Sequence, residues 1–137
     1  MPPKPKPIEQ VQVPLGSSYF ICPHIACHIT QGLHWYNAID FGGKCGDPIY
    51  AAASGIVQVV RYGWNGGLGN YLTILHPNGA VTLYSHIQTS LVVSGQSVSQ
   101  GESIAIMGGK PGTPGAGHST GCHVHFEVRG ARNPFAN

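Results

Sequence analysis

The sequence predicts a single all-β domain built mainly from antiparallel strands. Its 137 residues leave room for one domain. The chain contains 20 glycines and 11 prolines, and the longest stretch without either residue runs only from Ala80 to Ser94. Because both residues disfavour helix interiors, these interruptions exclude an all-α protein. Short apolar segments separated by turn signals recur from His34 onward, a pattern typical of β-proteins.

The amino-terminal part of the chain is predicted to precede the sheet. Residues 1–14 are rich in proline, which predicts an extended linker, and the domain is predicted at 15–137. Residues 15–33 are predicted to be irregular. Cys22 and Cys27 are close enough in sequence to close a loop within this segment.

The rest of the chain is predicted to form short strands. The sequence Pro77-Asn78-Gly79 between two apolar segments predicts a hairpin turn. Residues 108–121 are rich in glycine and predict a loop before the last strand. The predicted strands are Ile49–Ala53, Ile56–Tyr62, Asn70–His76, Ala80–His86, Leu91–Val93, Val98, Ser103–Met107 and Cys122–Arg129.

Charge and hydropathy exclude several classes of function. Charged residues make up only 9% of the chain, and the formal net charge is +2. The basic residues do not cluster, which argues against nucleic-acid binding. No apolar run approaches the length of a membrane span. We expect a monomer. Eight histidines outnumber the five acidic residues, and this excess hints at metal chemistry.

The cysteines indicate the compartment. Cys22, Cys27, Cys45 and Cys122 form an even set in a small chain, which favours two disulfides formed in an oxidising compartment. Four buried thiols are an alternative, and a cysteine zinc site is weaker because no CxxC pair exists. The start, Met-Pro-Pro-Lys-Pro-Lys-Pro, cannot form an apolar targeting helix. We therefore expect an excised domain of an extracellular or cell-envelope protein, without a signal peptide.

The last predicted strand carries the most informative pattern. Side chains alternate between the two faces of a strand, which places Val124, Phe126 and Val128 on one face and His123, His125, Glu127 and Arg129 on the other. Two imidazoles on one face, about 6 to 7 Å apart, can share a metal ion. Alternatively, one binds a metal while the other transfers protons, or both are surface residues. The spacing leaves these alternatives open.

Two further segments carry candidate residues. Asp40 lies between apolar Ile39 and Phe41, and a carboxylate in such surroundings requires a cation unless it caps a turn. Tyr84 and His86 share a strand face, where the histidine is either structural or functional.

Taken in order, these segments resemble the lysostaphin-type zinc endopeptidases, which cut peptidoglycan peptides. That family has a His and an Asp near its start, a Tyr-x-His-hydrophobic segment in the middle and a late His-x-His. The resemblance covers about residues 31–135. The matching segments are His34 to Phe41, Tyr84-Ser85-His86-Ile87 and Ser119 to Glu127, with connecting matches at Gly46 to Ala52, Gly69 to Tyr71 and Val93 to Val98.

The resemblance implies a ligand set and two catalytic residues. It assigns one zinc ion to His34, Asp40 and His125, with His86 and His123 as the catalytic histidines. The family places its first histidine four residues before the aspartate, where this chain has Tyr36, so Tyr36 and His28 are alternative first ligands. Three ligands leave the fourth zinc position for water, and a zinc-bound water ionises near neutral pH. Because no HExxH glutamate exists, a histidine must act as the base.

Two further classes of function are compatible with the sequence. A non-catalytic cell-wall binding or regulatory module would share the fold, and a small metal- or sugar-binding jelly roll is a third class. Because a residue that can bind a metal is present at every ligand position, the enzyme is favoured over the non-catalytic alternatives. D-Ala to diamino-acid cross-links, glycine bridges and non-wall peptides all remain candidate substrates. Glu127 is expected to be solvated or to contact a ligand, whereas His24, His28, His76 and His118 are expected in loops or on the surface, His118 at the lip of the groove.

The same ligand assignment predicts a disulfide. If Asp40 and His125 share an ion, Cys45 lies five residues from one ligand and Cys122 three from the other. This proximity predicts a Cys45–Cys122 bridge, which leaves Cys22–Cys27 as the second. The zinc groove is predicted to lie across one face of the sheet.

Overall fold

The computed structural model describes residues 19–34 and 37–135. The predicted linker at 1–14 and the alternative ligand Tyr36 lie outside the described residues. Within them the regular structure is almost entirely β, with one short 3-10 turn at Asn65–Gly67 and no α-helix. The strands are β1 His28–His34, β2 Ala38–Gly42, β3 Pro48–Tyr50, β4 Gly55–Arg61, β5 Tyr71–Leu75, β6 Val81–Ser85, β7 Ile87–Ser90, β8 Ser97–Val98, β9 Ser103–Met107 and β10 His123–Arg129.

These strands form two antiparallel sheets, which confirms the predicted fold class. The larger sheet has seven strands in the order β1-β2-β10-β6-β5-β4-β8, and the smaller has the order β3-β9-β7. One buried cluster contains side chains from both sheets, including Phe41, Phe126 and Tyr84 of the large sheet and Ile49 and Met107 of the small one. The described residues contain no helix with the length and apolar character needed to cross a bilayer.

Three observed strands, β1, β2 and β7, were not among those predicted. β1 lies within the segment predicted to be irregular, and all of its residues before His34 are exposed. An exposed edge strand needs no apolar alternation, so its sequence carries no strand signal. The strand predicted at Leu91–Val93 is absent, and the chain forms β7 immediately after His86 instead. His86 has a φ of 61°, which ends β6 and redirects the chain into the smaller sheet.

Both predicted disulfides are present. Cys45 is bonded to Cys122 with the Cα atoms 5.2 Å apart, and Cys22 is bonded to Cys27 with a Cα separation of 5.9 Å. The first bridge ties the loop after β2 to the residue that precedes β10. It therefore joins, through the covalent chain, the two strands that carry Asp40 and His125.

Two histidines expected in loops or on the surface are buried. His24 contacts the Asp47 carboxylate at 2.8 Å. His76 is 2% exposed, and its Nδ1–H donates to the carbonyl of Ser54 at 2.9 Å. Its Nε2 accepts from the Thr82 hydroxyl at 2.7 Å. Both lie in loops outside the strands, as expected, but they are buried because their partners come from other segments of the chain. His28 and His118 are exposed, as expected.

The burial of His76 predicts a loss of stability in acid. Burial lowers the pKa of His76 below its usual value of 6.5. As the pH falls below about 6.5, the unfolded state takes up this proton before the folded state does, so the free energy of unfolding decreases until the lowered pKa is passed. We expect this residue to contribute up to about 1.4 kcal/mol per pH unit. Urea unfolding of metal-free wild type and His76→Gln between pH 7.5 and 5 measures the contribution as the difference in slope. Parallel curves would contradict it.

Candidate functional site

The strand register brings three predicted ligands together. β10 lies between β2 and β6, and its antiparallel register with β2 pairs His125 with Asp40. On the other side of β2, β1 ends at His34, which pairs with Ala38. Directly opposed residues on neighbouring strands have adjacent side chains, and Ala38 lies two residues before Asp40 on the same face of β2. His34 is therefore a diagonal neighbour of Asp40, and three consecutive strands bring their side chains to one point.

The three side chains form a tight cluster. His34 Nε2 lies 3.5 Å from Asp40 Oδ1 and 3.3 Å from His125 Nδ1, and His125 Nδ1 lies 3.1 Å from Asp40 Oδ1. All three side chains are largely shielded from solvent. Such a group of two imidazoles and one carboxylate can hold a metal ion.

Hydrogen bonds fix which nitrogen each imidazole presents to the cluster. His34 Nδ1–H donates to the carbonyl of Gly32 at 2.8 Å, and His125 Nε2–H donates to Glu127 Oε2 at 2.9 Å. A carbonyl and an ionised carboxylate can only accept, so the opposite nitrogens of the neutral rings carry lone pairs. With both rings neutral, two lone pairs and the Asp40 carboxylate face one another; without a metal ion, a proton on His125 Nδ1 is donated to Asp40 at 3.1 Å instead. This arrangement fits a cation at the centre of the cluster.

The protonation equilibria of the metal-free cluster also favour a cation there. Burial alone would lower the pKa of His125, but its hydrogen bonds to Asp40 and Glu127 outweigh burial and raise it to about 9. Burial tends to raise the pKa of Asp40, but the hydrogen bond from His125 and the neighbouring imidazoles lower it on balance. The cluster therefore keeps a carboxylate and attracts positive charge.

His34 and His28, two candidates for the first ligand, lie at opposite ends of β1. His34 belongs to the cluster. His28 is exposed and pairs with Gly42.

His86 and His123 lie beside the cluster. Their ring centroids are 4.7 Å apart, and His123 Nε2 is 3.7 Å from Asp40 Oδ2. His86 Nδ1–H donates to the Ala116 carbonyl at 2.7 Å, and His123 Nδ1–H donates to the Gly121 carbonyl at 2.8 Å. Each ring therefore has Nε2 available as a proton acceptor. Burial and the nearby charge of His123 lower the pKa of His86 to about 4, so this ring is neutral at neutral pH.

The backbone holds His86 in an uncommon conformation. Its φ of 61° lies in the left-handed region. Its N–H donates to the Leu68 carbonyl at 3.1 Å, and its own carbonyl accepts from the N–H of Gly108 at 2.9 Å. Such a conformation in a bulky residue persists only where surrounding contacts enforce it, and it is concentrated at functional sites. In this protein the left-handed conformation occurs at His86, where the chain passes from β6 of the large sheet to β7 of the small sheet.

Behind His125, two residues form a chain of charged hydrogen bonds. Glu127 is 1% exposed, and its second oxygen, Oε1, accepts from Arg129 Nε at 3.1 Å and from Arg129 Nη2 at 3.0 Å. Glu127 is buried and contacts the proposed ligand His125, so of its two expected placements the solvated one is excluded. Strand alternation predicted Arg129 on the same face as His125, but it did not predict the hydrogen bonds of Arg129 to Glu127.

This chain predicts a role for Glu127 in metal affinity. Glu127→Gln removes the charge that fixes the His125 tautomer, and hydrogen-bond partners of metal ligands typically contribute about 10- to 100-fold in affinity. We expect a zinc affinity lower by that factor, measured by competition with a chromophoric chelator. Glu102→Gln is the matched control, because Glu102 accepts from the Ser99 N–H before β9. Equal affinities for both variants would contradict the prediction.

An open cavity of about 390 Å³ borders the cluster on one side. His86 and His125 lie at its inner wall, and the exposed side chain of Trp64 lies at its edge. His118 is also at the edge, where the sequence placed it. The remaining lining residues are Asn65, Gly66, Gly67, Leu68, Glu127 and Arg129.

An antiparallel β-fold with a His-Asp-His cluster, two adjacent histidines and an open groove defines a metal-dependent hydrolase. The chain belongs to peptidase family M23, and the model of that family matches residues 34–136. Membership in this metallopeptidase family implies a metal ion, and the His34-Asp40-His125 cluster is the candidate site for it.

Curated relatives are longer proteins. The chain is 36% identical over 99 residues to the peptidoglycan DD-endopeptidase ShyC of Vibrio cholerae, a match that covers 72% of this chain and 21% of ShyC. It is 37% identical over 100 residues to the DD-carboxypeptidase/endopeptidase Mpg of Neisseria meningitidis serogroup B, covering 73% and 21%. The chain thus spans about a fifth of the length of these relatives.

Solved structures share the fold. A zinc-containing peptidase from Vibrio cholerae matches with a TM-score of 0.68 and 35% identity, over 81% of this chain and 36% of that chain. The catalytic domain of lysostaphin from Staphylococcus simulans matches with a TM-score of 0.59 and 29% identity, over 87% and 84% of the two chains.

Proposed function

We propose that this chain is a zinc endopeptidase that hydrolyses peptide bonds in peptidoglycan cross-links or stem peptides. The observation that carries the proposal is the convergence of His34 Nε2, Asp40 Oδ1 and His125 Nδ1 beside two further histidines. Relatives named as peptidoglycan endopeptidases support the substrate class. One zinc ion bound by the three ligands would acidify a water molecule and polarise the scissile carbonyl.

The proposed catalytic residues are His86 and His123. Each ring is anchored through Nδ1–H to a backbone carbonyl, so each has a defined orientation and an available Nε2. A neutral His86 can accept the proton of the attacking water and pass it to the departing amine. His123 lies next to Asp40, so its Nε2, once protonated, would be placed to donate a hydrogen bond to the developing oxyanion.

Compartment and oligomeric state belong to the same proposal. Two disulfides in a small domain support an extracellular or cell-envelope location, where oxidised cysteines persist. We propose that the chain acts as a monomer, since all five proposed site residues come from one chain.

The proposal is tested by zinc analysis and by mass spectrometry of cross-linked muropeptides from several wall types after digestion. We expect about one zinc ion per chain and new amino and carboxyl termini at one kind of peptide bond, with activity lost on chelation and restored by zinc. Protein that binds zinc and cell wall but releases no new termini would instead be the non-catalytic module.

A further inference from the structure

We propose that Arg129 is a specificity residue that binds a free carboxylate of the peptide substrate within the cavity beside the metal cluster. This inference rests on the proposed function and extends it to the chemistry of the substrate. The three observations that support it are the fixed position of the guanidinium, its unused donors and the charge of the cavity.

The position of the guanidinium is fixed from behind. Arg129 donates two hydrogen bonds to Oε1 of Glu127, a carboxylate that is 1% exposed and that accepts from His125 through its other oxygen. Because both oxygens of the buried Glu127 carboxylate accept hydrogen bonds, the position of this carboxylate is fixed. It therefore holds the arginine head group in place. An arginine fixed in this way loses little conformational entropy when it binds a second group.

The guanidinium retains donors for a ligand. Of its five N–H groups, Glu127 engages one on Nε and one on Nη2. The remaining three have no hydrogen-bond acceptor among the described residues. Arg129 lines the same cavity as His125, and its side chain is 54% exposed. The available edge of the guanidinium is therefore accessible from the groove that would hold the substrate.

Of the two charged residues that line the cavity, only the positive one is exposed: the Arg129 side chain is 54% exposed and that of Glu127 only 1%. Glu127 is the only acidic residue among the described residues that line the cavity, and both Glu127 oxygens are engaged. Arg129 is the only lining residue that is always charged. A bound zinc ion would add further positive charge at the inner wall. A forked, charge-assisted contact with a carboxylate is the interaction that arginine makes most strongly.

The spacing of side chains along β10 also places Arg129 at a suitable distance from the metal cluster to bind a residue next to the scissile bond. His125, Glu127 and Arg129 follow one another on a single face of β10, at about 6 to 7 Å per step. The arginine head group folds back to Glu127, one step from the ligand. A substrate with its scissile bond at the cluster would therefore present to Arg129 a carboxylate on a neighbouring residue. Such a group is either the side-chain carboxyl of a diamino acid or the terminal carboxyl of a stem peptide.

The test compares zinc-loaded wild type and R129Q on three cross-linked muropeptide dimers. In the first dimer all carboxyl groups are free. In the second only the side-chain carboxyl of the diamino acid is amidated, and in the third only the terminal carboxyl. We expect wild type to prefer the free dimer over one of the amides by about 10- to 100-fold in kcat/KM, with the difference mainly in KM. The amide that is discriminated against identifies the source of the carboxylate.

R129Q should reduce that preference to about one, whereas R61Q, which removes an exposed arginine at the end of β4, should retain it. If Arg129 served only to neutralise Glu127, R129Q would slow all three dimers equally and keep the wild-type preference. That result, or a wild type that cuts all three dimers equally well, would overturn the inference.

A binding measurement separates this inference from the proposed function. Calorimetry gives the affinity of zinc-loaded wild type and R129Q for an uncleaved stem peptide, in free and amidated forms. If no dimer is cut, the proposed function fails. The ratio of the affinities for the free and the amidated stem peptide still decides the role of Arg129. A ratio near one in wild type would refute it.

Discussion

His125→Ala is expected to lose both its zinc and its activity, whereas His123→Ala and His86→Ala should retain zinc and lose activity. His125 presents Nδ1 to the cluster at 3.1 Å from Asp40, so its removal takes away one of only three proposed ligands. The other two histidines lie outside the triad of ligand atoms. A histidine that transfers protons contributes to the barrier alone, so we expect roughly 100-fold or greater loss of rate in these two variants.

Metal analysis of the purified variants, together with turnover of a cross-linked muropeptide, decides this division of roles. His86→Asn is included because asparagine tolerates the left-handed conformation at φ 61° better than alanine. It separates loss of the imidazole from distortion of the backbone. Zinc lost from His123→Ala but kept in His125→Ala would mean that the two roles are reversed.

Removal of the Cys45–Cys122 bridge is expected to cost about 4 kcal/mol of unfolding free energy in the chain-entropy interpretation. The bridge closes a loop with a sequence separation of 77 residues, whereas Cys22–Cys27 spans only 5. Longer loops lose more entropy on closure, so the shorter bridge should contribute roughly half as much. Domains are typically stable by about 5 to 15 kcal/mol, so the first loss is severe.

Urea unfolding of the Cys45→Ser/Cys122→Ser variant with zinc chelated measures this cost without the contribution of the metal. The Cys22→Ser/Cys27→Ser variant is the matched control. Equal losses in the two variants would contradict the loop-length argument and would indicate that local contacts dominate.

The sequence predicted β4, β5, β6 and β10, but it missed β2, although β2 is also paired on both sides. β10 alternates apolar and polar residues over its full length, and Val124, Phe126 and Val128 are buried as predicted. The strand boundaries at β9 also match the prediction. β1 escaped prediction because its register on β2, rather than an apolar face, holds it in place.

Long-range hydrogen bonds account for what the sequence could not predict at the site. The tautomer of His86 depends on the carbonyl of Ala116, thirty residues away. Similarly, the burial of His76 depends on Ser54 and Thr82. No local pattern in the sequence encodes such partners. The residues of the metal cluster could be assigned by resemblance, but the hydrogen bonds that orient them required the fold.

The position of His34 at the end of an edge strand affects how long a metal ion would stay bound. β1 is the outermost strand of the large sheet, whereas Asp40 and His125 lie in strands paired on both sides. Edge strands open locally at a much lower free energy than central strands. Opening of β1 would withdraw one ligand while the other two stay in place, so the dissociation rate of the ion would follow the fraying of this strand. Conversely, a bound ion would slow amide hydrogen exchange in β1 and leave local exchange in the interior of β10 nearly unchanged.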